Sequence, residues 1–227
     1  MRDVGAPTVD IAAVRADELR RAVEILGYEA THQLGYQDSG VDGAEPDGFA
    51  TSDLARIVSQ LVSLFRREEP DVVVTYDPGY ARRHPDHLRS YEAACAAFDV
   101  AGGAWGPSKL YGCRTHSPAR LRAMHDWLTS SGRESPYESA LTADPVDATT
   151  TRIDIGDYLP ITRRALLAHR SQVSADDPWF FSVPVDVMRR IYPFEDYVLL
   201  RSRVAAETAG NERERDLFAG IEGLLPT

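Results

Sequence analysis

The order of apolar segments in this chain predicts an α/β fold of three layers around a mostly parallel sheet. Three observations lead there. Stretches with helical spacing alternate with short β-branched runs, the pattern of helices laid against a sheet. One of those runs, Val72-Val73-Val74-Thr75-Tyr76, has the composition of a central parallel strand. The 227 residues, 43% of them hydrophobic, suffice for one ordinary domain with a full core, so a single domain over 1–227 is expected.

Each element follows in order. Residues 11 to 26 carry Ile11, Val14, Leu19, Ala22, Val23 and Leu26 at helical spacing, with Asp10 as N-cap and Gly27 as stop. A short strand ends in Leu34-Gly35-Tyr36, and a Gly/Asp/Pro-rich loop runs from Asp38 to Gly48. A second amphipathic helix spans Ser52 to Glu68, with Leu54, Ile57, Val58, Leu61 and Phe65 on one face and Pro70 closing it. The strand at 72–76 is broken by Asp77-Pro78-Gly79, and a third helix after His84-Pro85-Asp86-His87 shows Leu88, Tyr91, Cys95 and Phe98. A strand at 109–114, a helix at 118–130 and a Ser/Thr/Pro/Asp-rich loop at 131–151 come next. The remainder reads as a strand at 152–155, a helix at 157–170, the aromatic segment Trp179-Phe180-Phe181, a strand at Tyr197-Val198-Leu199-Leu200 and an amphipathic helix over 213–225. The charged residues Arg213 to Asp216 would form the solvated face of that last helix. Such sheets usually begin with a strand, yet this chain opens on a loop and a helix. The first strand is therefore expected to be missing.

Composition narrows the function classes. The formal net charge is −10, and Lys109 is the only lysine among the basic residues. That balance disfavours a nucleic-acid surface, which needs a concentrated positive face. No apolar run is long enough to span a bilayer, and Met1-Arg2-Asp3 does not open a signal peptide, so a cytoplasmic protein is expected. Cys95 and Cys113 are the only cysteines, too few for a disulfide framework or a thiolate zinc cage. Any metal must be held by histidines and carboxylates.

The segment His84-Pro85-Asp86-His87 lies just past the end of the 72–76 strand, where open α/β sheets place their ligands. Proline is favoured at the first helical position, which makes His84 the N-cap. His84 and His87, three apart, would then both reach into the crevice at the strand end. Neutral imidazole is a good zinc ligand, and a neighbouring carboxylate such as Asp86 can fix its tautomer or raise its basicity. A lone histidine here would read as a cap; two of them flanking Pro-Asp after a strand and a Gly-containing turn read as a site. His116, His125 and His169 are scattered and read as surface or capping residues, and Cys95, on the apolar stripe of its helix, reads as buried and inert.

Val72-Val73-Val74-Thr75-Tyr76-Asp77-Pro78 followed by His84-Pro85-Asp86-His87 resembles the second signature of the LmbE-like (N-acetylglucosaminyl-phosphatidylinositol de-N-acetylase) family. Arg15-Ala16-Asp17-Glu18-Leu19, Leu26-Gly27 and Leu34-Gly35-Tyr36-Gln37-Asp38-Ser39-Gly40 resemble that family's upstream helix and turn. His169-Arg170-Ser171-Gln172, Trp179-Phe180 and Phe194-Glu195-Asp196-Tyr197 are similar to its mycothiol-conjugate amidase branch. The resemblance implies a Rossmann-like sheet and zinc-dependent hydrolysis of an N-acyl amide on a glucosamine-type substrate or mycothiol-like conjugate. It further implies that His87 is a metal ligand, that His84 stabilises the oxyanion or protonates the leaving amine, and that Asp86 tunes His84. Arg15 and Asp38 match the pair that binds sugar hydroxyls. Tyr80 matches a mobile active-site tyrosine across a longer spacer, Ala81-Arg82-Arg83.

The family's first signature, Ala-His-Pro-Asp-Asp, has no counterpart before Arg15. It supplies a His and an Asp ligand and the Asp general base, and a catalytic zinc normally has three protein ligands. A truncated start is expected on that ground, and with it a 227-residue chain that holds no stoichiometric zinc and is inactive. Two alternatives stand beside the deacetylase: a catalytically dead sugar-binding paralogue, and a different hydrolase using the two histidines with another metal or none.

Overall fold

A computed structural model describes residues 11–43, 45–81, 84–143, 147–205 and 212–221. Their elements are α1 (Ile11–Leu26), α2 (Leu54–Glu68), β1 (Val72–Tyr76), α3 (Pro78–Ala81), α4 (Pro85–Val100), β2 (Lys109–Cys113), α5 (Pro118–Ser130), α6 (Glu138–Ala143), β3 (Thr151–Asp154), α7 (Leu159–Ala168), α8 (Pro178–Phe181), α9 (Val185–Ile191) and β4 (Phe194–Ser202). The chain gathers into two compact units. One holds the residues up to Gln33, Ala123–Glu138 and Ile155–Pro193; the other holds Leu34–Arg122, Ser139–Asp154 and the residues from Phe194 on.

The second unit contains the sheet, in the order β1-β2-β4-β3. β1 and β2 run parallel, with Val73 opposite Leu110, while β4 is antiparallel to both β2 and β3. The α/β class holds, but the sheet is mixed where a mostly parallel one was expected. Alternation with helices marks a segment as a strand; its direction depends on the side from which the connecting chain returns, which periodicity does not encode. β1 also stands at the sheet edge among the described residues, with Val74 47% exposed, where its composition suggested a central strand.

Helix α4 covers this sheet. Ala94, Cys95, Phe98 and Leu110 form one buried cluster, against which Val73, Tyr91 and Leu200 pack. Cys95 is buried there as expected, and burial pushes its thiol up from the ordinary range. On the other flank, Phe65 of α2 meets Ala97 and Ala101, small residues that let the two helices approach closely. The Arg203 guanidinium donates to the carbonyls of Phe98, Ala101 and Pro107 and lies over the Phe98 ring, satisfying the end of α4.

In the first unit α1 packs on α7, and α7 on α9. Glu18 is buried and accepts the amide and the hydroxyl of Ser171, both at 2.7 Å. Gly27 ends α1 at φ +75°, as its position suggested, while the expected cap Asp10 lies outside the described residues. The residues that ground the expectation of an absent first strand, those before α1, are likewise outside them.

Three segments differ from expectation. Leu34-Gly35-Tyr36 is no strand; a single bridge joins Gln37 to Gly48. The loop 131–151 contains α6, with 144–146 outside the described residues. Over 213–221 there is no helix, and 222–225 lie outside the described residues. Glu214 instead bridges Thr151 and is buried, because its carboxylate accepts from Lys109 Nζ (2.8 Å), the Tyr111 hydroxyl (2.7 Å) and the Thr151 hydroxyl (2.9 Å). A buried charge with three donors has no reason to face water. No helix is long and apolar enough to cross a membrane among the described residues.

Candidate active site

β1 delivers the chain to Asp77, whose amide donates to Cys113 O at the end of β2 (3.3 Å) and whose carboxylate lies 4.0 Å from the Arg114 guanidinium. Gly112 permits this approach: a Cβ there would fall 2.9 Å from Asp77 Cα. The short α3 follows, and α4 then starts where the sequence placed it, on Pro85 with His84 as N-cap.

The cap has a chemical consequence. His84 Nδ1 accepts the amide of Asp86 at 3.2 Å. A neutral imidazole that accepts at Nδ1 carries its proton at Nε2, so Nε2 is a donor. His87, on the next face of the first turn, stacks on the Tyr76 ring (centroids 4.0 Å apart, 14° between planes) and lies 4.9 Å from the His84 ring. Burial, and then the neighbouring His84, hold the His87 imidazole below its ordinary pKa despite the opposing charge of Asp86. It is therefore uncharged at neutral pH, the form that can coordinate a metal.

Asp38 arrives from the distant loop. Its Oδ1 accepts the Gly40 amide at 2.9 Å, and Gly40 sits at φ +74°, a conformation that an L side chain rarely adopts. The Asp86 carboxylate accepts two amides of the same loop, Ser39 N on Oδ2 (3.1 Å) and Ala50 N on Oδ1 (3.2 Å). Asp38, His84 and Asp86 consequently each offer a ligand atom within 4.8 Å of the others. These donors are imidazole nitrogen and carboxylate oxygen with no thiolate, a set that suits zinc and other divalent ions. The residues present fit a metal.

Of the residues singled out from sequence, the fold thus brings together Asp38, His84, Asp86 and His87. Tyr80 lies in α3, and its side chain is outside the described residues. Arg15 belongs to the other unit, where its guanidinium donates to Gln172 Oε1 at 3.1 Å. Sequence reasoning missed two residues. Ser39 is wholly buried beside Asp38, and its hydroxyl accepts the Ala50 amide at 2.7 Å. Arg89 donates from Nε (3.0 Å) and Nη2 (2.6 Å) to Ala50 O. The available signal was Arg89's place one turn after Asp86, on the same face of α4.

Known proteins resemble the chain throughout this region. The family model described as GlcNAc-PI de-N-acetylase matches residues 2–98. A mycothiol S-conjugate amidase of Streptomyces coelicolor is 33% identical, with 93% of this chain and 78% of that protein covered. A 1D-myo-inositol 2-acetamido-2-deoxy-alpha-D-glucopyranoside deacetylase of Geodermatophilus obscurus is 32% identical over 94% of this chain and 79% of its own length. Among solved structures, an N,N'-diacetylchitobiose deacetylase from Pyrococcus horikoshii superposes with TM-score 0.55 at 18% identity, covering 87% of this chain and 68% of that one. A conserved Thermus thermophilus protein does so with TM-score 0.52 at 20% identity, covering 91% and 79%. At those identities the structures speak for the fold alone.

Proposed function

Because the chain belongs to the GlcNAc-PI de-N-acetylase family, we propose that it hydrolyses the N-acyl amide of a small glucosamine-type substrate or mycothiol-like conjugate with the help of a bound zinc ion. The observation that carries this reading is the imidazole of His84, fixed by the Asp86 amide so that Nε2 bears the proton. Such a donor meets the charge that develops on the amide oxygen. One well-placed donor is worth roughly 3–4 kcal/mol in the transition state.

His87 is the proposed metal ligand, its neutrality favoured by burial. Zinc bound there would supply a water of pKa about 7 and polarise the carbonyl. His84 is kept for the proton: binding a metal through Nε2 would put the proton on Nδ1, against the amide it now accepts. Asp86 orients His84 through that amide, and Asp38 and Arg15 are assigned to sugar hydroxyls. Tyr80 is proposed as a further active-site group.

The test is release of primary amine from N-acetylglucosaminyl-inositol and from a mycothiol-type conjugate, before and after chelation and after zinc is returned. Metal-dependent release supports the reading. Sugar binding without amine release at any metal loading would replace it with the non-catalytic one.

A further inference from the structure

The loop between Asp38 and Ala50 has few apolar anchors of its own. Val41 is 86% exposed, and Asp42, Glu45, Pro46 and Asp47 face solvent. Its conformation is instead imposed from one side, by the first turns of α4. Asp86 accepts the Ser39 and Ala50 amides. Arg89 holds the same residue, Ala50, from its other side, with two N–H groups on the Ala50 carbonyl, while its Nη1 rests on Glu92 at 3.2 Å. One residue of the loop, Ala50, is thus gripped at both its amide and its carbonyl by side chains three apart on one helix face.

The packing under these bonds is close enough to need glycine twice. A Cβ on Gly43 would fall 2.7 Å from Pro85 Cγ, and one on Gly48 would fall 2.5 Å from Ser39 Oγ. Ser39 in turn accepts the Ala50 amide, so the two ends of the loop are tied together as well as to α4. Asp38 is the residue immediately before this anchored pair, and its carboxylate lies beside His84.

We propose that Arg89 is a positioning residue for substrate recognition: with Asp86, it locks the 38–50 loop onto α4 so that Asp38 is presented to the sugar in one fixed place. This rests on the assignment of Asp38 to substrate binding in the proposed function. Arg89 reaches no reacting atom itself; it acts through Ala50 and the loop. A planar guanidinium can give two N–H groups to one carbonyl, whereas an ammonium cannot reproduce that geometry.

The experiment combines kinetics and hydrogen exchange on Arg89→Met, Arg89→Lys, Asp38→Ala and the Arg89→Met/Asp38→Ala double variant. Arg89→Met should raise KM about tenfold with kcat within about twofold, the pattern of lost ground-state binding. Arg89→Lys should fall between it and the parent. In the Asp38→Ala background the same change should add less than about twofold, because the residue it positions is already gone. Amide exchange should accelerate at residues 38–50 and nowhere else. Equal KM effects in both backgrounds, or exchange that rises across the whole chain, would overturn the proposal. If the parent protein turns over no N-acetylglucosaminide, the proposed function fails, but the exchange measurement still decides the clamp: unaltered protection at 38–50 in Arg89→Met overturns it.

Discussion

Lys109 Nζ lies 2.8 Å from Glu214 Oε1, with the Lys109 side chain 1% and the Glu214 side chain 5% exposed. The chain's only lysine is thus spent on a buried ion pair, which holds the 212–221 segment on the sheet with help from Tyr111 and Thr151. Removing one partner strands the other in the core. Glu214→Ala and Lys109→Ala are each expected to destabilise the fold by about 3–5 kcal/mol, and Lys109→Met/Glu214→Leu together by clearly less. Urea unfolding of the three variants measures this; equal losses in singles and double would show that the pair is not coupled.

Burial alone would raise the Glu214 carboxyl, but hydrogen bonds from Lys109, Tyr111 and Thr151 outweigh it and hold the group below its ordinary value. A depressed folded-state pKa stabilises the fold above the unfolded value of about 4.3, and this is lost as pH falls through the folded value. The melting temperature of the parent should therefore drop more steeply between pH ~6 and ~3 than that of Glu214→Gln. Parallel curves would contradict the depressed value.

The two histidines should separate. In a chain joined to the family's Ala-His-Pro-Asp-Asp signature, His84→Ala is expected to retain zinc and lose about 10²–10³-fold in kcat, the loss of a single transition-state donor. His87→Ala should lose the metal with the activity. Metal analysis beside turnover distinguishes them, and equal zinc loss in both would end the division of roles.

Gly48→Ala should damage the site from a distance. Its Cβ would press on the Ser39 side chain and backbone, at 2.5 and 2.7 Å, so the loop must shift or strain by about 1–3 kcal/mol. We expect a lower melting temperature together with a raised KM. A variant that matches the parent in both would mean the loop yields without cost.

Arg15→Ala and Asp38→Ala should chiefly raise KM, the signature of lost uniform binding. Gln172→Ala, which removes one acceptor of the Arg15 guanidinium, should reproduce part of the Arg15→Ala effect. If Asp38→Ala abolishes turnover at saturating substrate, Asp38 belongs to the chemistry instead.

Local physics made much of this protein readable in advance. Pro85 after a capping histidine set the start of α4, and β-branched residues set β1, because both signals act within a few residues. The His84/His87 pair was legible for the same reason. Asp38 could be joined to it only by family resemblance, since no short-range rule brings a loop across to a helix 46 positions later; Gly43, Gly48, Asp86 and Arg89 do that in three dimensions. Strand direction and the fate of Glu214 were also decided there. A charge run on a polar segment looks solvated until a lysine 105 residues away in sequence meets it in the core. Periodicity reports which side of an element is covered, and only the folded chain decides what covers it.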